Sequence, residues 1–365
     1  MAGIYIHIPF CASRCIYCNF YSTTLLDLRQ RYVDAVCKEF SHRAGYLKEP
    51  VHTIYIGGGT PSQLSLEQLE QLFETTGSAD EITLECNPDD VTDEFAVGLS
   101  RLPVNRVSMG CQTFDEHRLR FLRRRHSAKQ IPAAVERLRK AGICNISIDL
   151  IYGFPDETLA DWKQDVEKAL LLGVEHLSAY ALSYEEGTPL YNMLTRCEIE
   201  EIDEEVSLQM FNYLIDSLMT AGYEHYEISN FSRPGYRSRH NSSYWHDIPY
   251  LGLGAGASSY DGESRQTNIE NVVEYIQGIE CKQLKLKFDR EVLSESERYN
   301  DLILTSLRTI EGLPLSKLSA ERLSYLRQQA QPYVKSGRLI EENGFLRLTR
   351  DGIFVSNGIM VDLML

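Results

Sequence analysis

Three of the nine cysteines stand close together in the sequence, and their spacing suits an iron–sulfur cluster. Cys11, Cys15 and Cys18 follow the pattern C-x3-C-x2-C, directly after a run rich in isoleucine that predicts a strand. Thiolates are the usual ligands of iron–sulfur clusters, and three of them on one loop can each bind one iron of a cubane. The fourth iron then stays open to a ligand from outside the chain. The spacing therefore predicts a [4Fe–4S] cluster with one free coordination position.

Zinc binding and simple burial are the alternatives for this segment. A tetrahedral zinc site needs a fourth Cys or His within reach, whereas position 20 is Phe and the nearest histidine, His7, lies in the preceding strand. Three unrelated buried thiols have no reason to fall within eight residues. The other cysteines are scattered singly, as is typical of small buried side chains in a reducing compartment. They are Cys37, Cys86, Cys111, Cys144, Cys197 and Cys281.

The elements that must position these thiols alternate regularly between residues 4 and 222. Short runs rich in Ile, Val and Tyr are each followed by an amphipathic stretch, which gives six strand–helix units. Such alternation predicts a parallel sheet. Six units are too few for the closed eight-stranded barrel. We therefore predict an α/β fold with a partial, TIM-like (β/α)6 barrel, in which ligands bind at the carboxyl ends of the strands.

Glycines and polar side chains stand where the predicted strands end. Residues 57–62, Gly-Gly-Gly-Thr-Pro-Ser, follow the second strand, and such glycines let a ligand approach the backbone and leave N–H groups free. Glu85, Gln112 and Asp149 belong to the next three strands. Any one of them could be a strand-end cap, but together they predict a ligand site. The arginine-rich residues 118–125 are either a solvated helix face or the source of an arginine that pairs with a bound carboxylate.

The cysteine spacing on this architecture is similar to the signature of the radical S-adenosylmethionine (radical SAM) superfamily. The resemblance implies that the open iron binds S-adenosylmethionine and that its reductive cleavage yields a 5′-deoxyadenosyl radical. It narrows to the oxygen-independent coproporphyrinogen III oxidase group and extends over essentially the whole chain. The motifs that carry it are residues 5–11, 57–62, 110–114, 149–155 and 186–189.

The resemblance implies two sets of cofactor-binding residues by motif position. In the relatives, residues at the positions of Tyr5, Gly58 and Glu85 contact a first cofactor molecule, together with the cluster. A second set matches positions that bind another cofactor molecule in the oxidase. It comprises Tyr17, Gly59, Thr60, Gln112, Arg124, Asp149 and Ser183.

Three departures separate this chain from the oxidase. The oxidase motif continues to a fourth cysteine, where this chain has Phe20. The oxidase also carries a long N-terminal extension, which we expect this chain to lack because it starts at the first strand. Finally, the string H-N-x-x-Y-W resembles the mark of the HemW haem-chaperone branch, whose members bind haem and pass it to haem enzymes such as those of respiratory chains. The string comprises His240, Asn241, Tyr244 and Trp245.

The string suits haem binding on chemical grounds. A neutral histidine can be an axial ligand of haem iron, and Tyr and Trp offer flat apolar surface. His240 is the first candidate ligand, with His246 and a thiolate behind it. The competing interpretation is a hydrogen-bonded histidine that packs beside two aromatic side chains.

The sequence thus leads to one main functional hypothesis and two alternatives. The main hypothesis is a haem chaperone that carries a [4Fe–4S] cluster and S-adenosylmethionine and transfers haem to acceptor proteins. The first alternative is an enzyme of porphyrin biosynthesis that decarboxylates coproporphyrinogen III. A radical enzyme that acts on another substrate is the second, since a barrel site is generic.

Composition restricts the partners and the location. The 365 residues carry a formal net charge of −15, which disfavours binding to nucleic acid. No apolar run approaches the ~20 residues that span a bilayer, and the N-terminus lacks the features of a signal peptide. We expect a cytoplasmic protein, with at most transient contact with membrane respiratory complexes.

Three regions are expected along the chain. Residues 1–225 form the partial barrel, residues 226–290 close one edge of its sheet, and residues 291–365 form a small, mostly helical, winged-helix-like domain. In this last region Asn343 and Gly344 predict the tight turn of a hairpin.

Overall fold

The computed structural model describes residues 1–281 and 286–365, and it confirms the open barrel of six parallel strands. The strands lie side by side in chain order, and each pairs in parallel with the next. They are β1 (Ala2–Ile8), β2 (Val51–Gly58), β3 (Glu81–Cys86), β4 (Arg106–Gln112), β5 (Asn145–Tyr152) and β6 (His176–Ala181).

Helices cover the outer face of the barrel. They are α1 (Arg29–His42), α2 (Leu66–Thr76), α3 (Asp93–Leu99), α5 (Gln130–Lys140), α6 (Leu159–Leu172) and α8 (Glu204–Thr220). Two short helices, α4 (Glu116–Phe121) and α7 (Pro189–Thr195), occur between them in the chain. Side-chain alternation makes the outside of the sheet apolar and the inside polar. On β1, Ile4, Ile6 and Ile8 belong to the core beneath the helices. Tyr5 and His7 point into the barrel and contact each other there, with 3.0 Å between Tyr5 Oη and His7 Nδ1.

The segment expected to close one edge of the sheet extends both edges, so that prediction is wrong. At the β6 edge, β7 (Glu224–Glu227) and β8 (Asn230–Ser232) add two antiparallel strands, and β7 crosses the expected boundary at residue 225. Four strands extend the β1 edge, and two helices lie between strands of this segment. The strands are β9 (Tyr250–Leu253), β10 (Ser258–Tyr260), β11 (Ser264–Asn268) and β12 (Phe288–Val292), and the helices are α9 (Arg239–Trp245) and α10 (Val272–Glu280). Residues 282–285 of this segment lie outside the described part of the chain.

A buried carboxylate fixes the β1 edge. Glu39 on α1 is fully buried and pairs with Arg43 at 3.0 Å. Its carboxylate also accepts hydrogen bonds from the backbone N–H of Gly254, the amide of Asn268 and the hydroxyl of Tyr275. A buried charge needs such partners. Glu39 therefore connects α1 with the glycine-rich turn after β9, with β11 and with α10.

Helix α9 packs against the amino ends of the first strands. The backbone N–H groups of Arg239 and His240, in its first turn, each donate to the Glu81 carboxylate at 3.0 Å. The His240 side chain reaches Thr53 near the start of β2, with 2.8 Å between Nδ1 and Oγ1. Helix α9 thus covers the end of the barrel opposite the carboxyl ends of the strands.

The C-terminal region has a core of its own and is mostly helical, as expected. It contains α11 (Glu295–Ser306), β13 (Leu313–Pro314), α12 (Ala320–Lys335), β14 (Leu339–Glu342), β15 (Phe345–Leu348), α13 (Arg350–Ile353) and α14 (Ser356–Leu363). The predicted tight turn is confirmed: Asn343 and Gly344 join β14 to β15 with φ angles of 52° and 80°. In the described ranges, no helix is long and apolar enough to span a membrane.

Removing the Glu81 carboxylate should loosen α9. We expect Glu81→Ala to lower the free energy of unfolding by roughly 2–4 kcal/mol, because the buried N–H of His240 and the partly buried N–H of Arg239 lose their acceptor. Urea unfolding followed by circular dichroism measures the change. The control is Glu167→Ala, a change at an exposed position of α6. Equal stability of the two variants would contradict the anchoring role of Glu81.

Candidate functional site

The three clustered cysteines lie on a loop that follows β1, here called the cysteine loop (residues 11–22). Two backbone hydrogen bonds close its base: Cys11 N–H donates to Thr23 at 2.9 Å, and Thr23 N–H donates to Pro9 at 2.7 Å. Farther along, Ile16 N–H donates to the carbonyl of Leu122. The loop is therefore attached both to the end of β1 and to the segment after α4.

The cysteine loop forms one wall of a cavity of about 510 Å³ at the carboxyl ends of the strands, here called the cofactor cavity. The predicted cluster and cofactor residues line it together, with the exception of Tyr5, which lies deeper in the barrel. The predicted residues that line it are Cys11, Cys15, Cys18, Tyr17, Gly58, Gly59, Thr60, Glu85, Gln112, Arg124, Asp149 and Ser183. Residues from the cysteine loop and from the ends of β2 to β6 thus meet in one place.

The three thiols suit a cluster better than a single ion. They are free, and in the described part of the chain no three His, Cys, Asp or Glu side chains converge closely enough to hold one metal ion. A cubane binds each thiolate through a different iron, so its ligands stand apart. Burial raises the pKa of the Cys11 and Cys18 thiols. Metal binding, which requires the thiolate form, would displace their protons.

Gly58, the last residue of β2, and Gly59, which follows it, let the chain pack directly against His7 and Cys11. A Cβ atom at Gly59 would stand 2.9 Å from Cys11 Sγ, and one at Gly58 would stand 2.6 Å from the His7 ring. Gly58 also has a φ of +113°, which side-chain-bearing residues rarely adopt. Any larger residue would push the turn away from the cysteine loop.

Glu85 is a partly buried carboxyl group near the end of β3. The Tyr55 hydroxyl donates to Oε1 at 2.7 Å, and the backbone N–H of Gly58 donates to Oε2 at 3.2 Å. Burial, reinforced by the nearby Asp149, raises the pKa of Glu85 to about 7. Burial likewise raises the pKa of Asp149. A carboxyl group that titrates near neutral pH inside a cavity is a typical ligand-binding group.

Arg124 holds several parts of the cavity together. Its Nη2 donates to Asn87 Oδ1 and to the carbonyl of Gly110, both at 2.6 Å, and its Nη1 lies 3.6 Å from Cys15 Sγ. Its buried Nε has no partner among the described residues. The Arg124 side chain thus lines the cavity with its positive charge, while its Nε stays buried.

The other arginines of residues 118–125 do not form a uniformly solvated face. Arg118 pairs with Asp161 at 3.0 Å, and Arg125 pairs with Asp89 and Asp90 at 2.9 and 2.8 Å. Within this stretch, Arg123 has a φ of 59° and lines the cofactor cavity together with Arg124 and Arg125.

A bulge at the end of β4 turns Gln112 into the cavity. The pairing with β5 shifts between Gly110 and Gln112, and Gln112 has a φ of 67°. The adjacent Cys111, like Cys86 on β3, faces the main core and is buried there. These two thiols are therefore small core side chains.

The aromatic string predicted for haem lies at the other end of the barrel, on α9, and none of its four residues lines the cofactor cavity. His240 is 1 % exposed, and its two ring nitrogens contact Thr53 Oγ1 at 2.8 Å and Tyr244 Oη at 2.9 Å. Its ring stacks on Tyr55 with 5.2 Å between centroids. Burial, together with the nearby positive charge of Arg106, lowers the pKa of His240 to about 3, so it is neutral.

Asn241 and Trp245, also in the string, contact the first residues of α9 and the C-terminal region. The N–H of Asn241 donates to the capping hydroxyl of Ser238, and the Arg308 guanidinium lies 4.8 Å from the centre of the Trp245 ring. Both ring nitrogens of His240 are occupied, so an iron would have to displace Thr53 or Tyr244. The observed arrangement is the one expected for a hydrogen-bonded histidine beside aromatic side chains, and iron ligation by His240 stays a prediction.

Sequence reasoning missed several residues that line the cavity, among them Asn87 and Tyr180. Asn87 follows β3 directly and is the partner of Arg124, and its place at a strand end was the available signal. Tyr180, near the end of β6, lines the cavity and is 43 % exposed. Its position in an apolar run gave no sign of this exposure.

Comparison with known families agrees with this geometry. Residues 5–169 match the radical SAM superfamily, and residues 293–355 match the HemN C-terminal domain. Among solved structures, coproporphyrinogen III oxidase (HemN) from Escherichia coli superposes with a TM-score of 0.84 over 100 % of this chain and 90 % of that one. At 22 % sequence identity, this similarity establishes the fold.

Curated relatives match over nearly the full length. Heme chaperone HemW of Lactococcus lactis subsp. lactis is 34 % identical, with 99 % of this chain and 97 % of the relative covered. The Escherichia coli protein of the same name is 30 % identical, with 98 % and 97 % covered. The Bacillus subtilis one is 35 % identical, with 86 % and 85 % covered. The chain belongs to the HemW family of the radical SAM superfamily.

Proposed function

We propose that this chain is a haem chaperone that binds haem and passes it to haem-dependent acceptor proteins, and that it carries a [4Fe–4S] cluster with S-adenosylmethionine. The observation that carries the proposal is the full-length similarity to relatives named heme chaperone HemW. The acceptors we infer are respiratory haem proteins, met in the cytoplasm or by transient contact at a membrane.

The cofactor cavity supports the cluster part of the proposal. Cys11, Cys15 and Cys18 would each hold one iron, and the fourth would face the cavity that the glycine turn and Glu85 border. A cluster bound there would supply one-electron chemistry to the cofactor on its open iron.

The residues around the cluster would hold and orient S-adenosylmethionine. The cofactor carries an amino group, a carboxylate and a sulfonium. Glu85 is the acceptor available for the amino group, and the Arg124 guanidinium, which lines the cavity, is the positive charge available for the carboxylate. The Gly58 and Gly59 turn brings backbone close to both without intervening side chains.

Phe20 favours the chaperone over the oxidase. The oxidase motif has a fourth thiol at this position, whereas here a phenyl ring lies at the cavity and is 64 % exposed. The similarity to the solved oxidase, at 22 % identity, supports a common fold and not a common activity.

Cys15→Ser should abolish cluster assembly, because one of three thiolate ligands is lost. Anaerobic reconstitution of the unchanged chain should give about four irons, and the variant far fewer, measured by iron and sulfide analysis and by electron paramagnetic resonance. Cys144→Ser, a change of an exposed cysteine outside the cavity, is the control. Full iron content in Cys15→Ser would refute the cluster assignment.

Haemin should bind the anaerobically reconstituted protein. We expect a Soret band that saturates near one haemin per chain, and transfer of this haemin to an apo-haem protein added afterwards. Coproporphyrinogen III with a reductant and S-adenosylmethionine should be recovered unchanged. Decarboxylation at a rate comparable to that of a true oxidase, without haemin uptake, would favour the enzyme hypothesis instead.

S-adenosylmethionine binding should weaken at acid pH. Because the pKa of Glu85 is about 7, the carboxyl becomes protonated below neutrality and can no longer attract a cationic amino group. We expect the dissociation constant to rise by up to about tenfold per pH unit from pH 7 to pH 6, measured by anaerobic calorimetry. Glu85→Gln should bind more weakly and show only the cofactor's own titration. Identical pH profiles for both proteins would exclude Glu85 as the acceptor.

A further inference from the structure

Two aromatic rings are exposed in the cofactor cavity. Phe20, from the cysteine loop, is 64 % exposed, and Tyr180, from β6, is 43 % exposed. Leu182, which is partly buried, adds apolar surface to the same cavity. Gln112, by contrast, is buried, and Glu85 and Asp149 are partly buried; these polar groups suit a small polar cofactor. Large apolar rings exposed at a cavity are typical of a binding surface.

Two arginines of the same cavity have no partner. Arg14 and Arg123 both line it and are exposed, and in the described ranges their side chains form neither hydrogen bonds nor ion pairs. This contrasts with Arg124 and Arg125, which are engaged by Asn87 and by Asp89 and Asp90. The protein as a whole carries 52 acidic and 37 basic side chains. The unpaired positive charge of these two arginines therefore indicates a binding site for an anion at this cavity.

The aromatic string offers no comparable surface. His240 is buried with both nitrogens occupied, and the Trp245 ring is covered on one face by Arg308. A flat ligand could reach His240 only if α9 moved away from Thr53 and Glu81 and broke its hydrogen bonds to them. In the described part of the chain, exposed rings and free cations thus meet at the carboxyl end of the barrel.

Haem combines the two properties that this surface recognises: it is a flat apolar macrocycle that carries two carboxylates on one edge. We propose that haem binds over the opening of the cofactor cavity, with its ring on Phe20 and Tyr180 and its propionates at Arg14 and Arg123. This rests on the haem binding proposed above, and it places haem next to the cofactor and away from His240. A ligand at the opening stays within reach of an acceptor protein.

The location is tested on the full chain with its cluster reconstituted, by anaerobic titration with haemin and with iron-free protoporphyrin IX. We expect Phe20→Ser and the double variant Arg14→Glu/Arg123→Glu each to weaken haemin binding by about tenfold. The same variants should bind protoporphyrin IX more weakly to a similar extent, because the contacts of the macrocycle and of its carboxylates with the protein would provide the affinity. His240→Gln, which keeps hydrogen-bonding capacity, should bind haemin like the unchanged protein.

Matched controls are Phe288→Ser and Arg101→Glu, which alter an exposed ring and an exposed cation outside the cavity. Iron content is measured for every variant, so that a lost cluster is not taken for a lost haem site. If His240→Gln abolishes haemin binding while the Phe20 and arginine variants retain it, the location is wrong and haem binding itself stands. If the unchanged protein takes up no haemin, the proposed function fails together with the location.

Discussion

The burial of polar side chains inside the open barrel is the constraint on which the rest of the structure depends. The helices cover an apolar outer face, but the inner face carries carboxylates, hydroxyls and imidazoles that lose water and need partners. Toward the carboxyl ends of the strands, Glu85 is met by Tyr55 and by the backbone of Gly58. Toward the amino ends, Glu81 accepts the first N–H groups of α9. The same requirement thus shapes the cofactor cavity at one end and places a covering helix at the other.

The two ends of the barrel are therefore suited to different tasks. The carboxyl end is open, and there the cysteine loop, the glycine turn and the strand ends leave space for a cluster and a cofactor. The amino end is covered by α9. His240 of this helix uses both ring nitrogens and stacks on Tyr55. Since Tyr55 also donates to Glu85, a short chain of contacts runs from the aromatic string to the cofactor cavity. The string would then act as a structural support for the cofactor site, with haem bound at the open end.

Contacts with residues that are distant in sequence hold the cysteine loop in position. Gly59 allows the turn after β2 to reach Cys11, and Arg124 connects Cys15 to Asn87 and to the bulge at Gly110. Burial holds two of the thiols in the protonated form until a metal displaces the protons. Cluster assembly and the arrangement of the surrounding strand ends are thereby linked.

The sequence by itself determined the six strand–helix units, the hairpin at Asn343 and Gly344, and the local spacing of the three cysteines. These features depend on short-range periodicity, turn chemistry and spacing, which a single sequence carries. Tertiary structure decided what depends on contacts between distant segments: that residues 226–290 extend both edges of the sheet, that Tyr180 is exposed, and that Arg124 binds Asn87. It also decided the place of the aromatic string. A His-Asn-x-x-Tyr-Trp pattern is compatible with a haem ligand or a buried support, and only the position of Thr53 and Glu81 beneath α9 shows that His240 is buried with its nitrogens occupied.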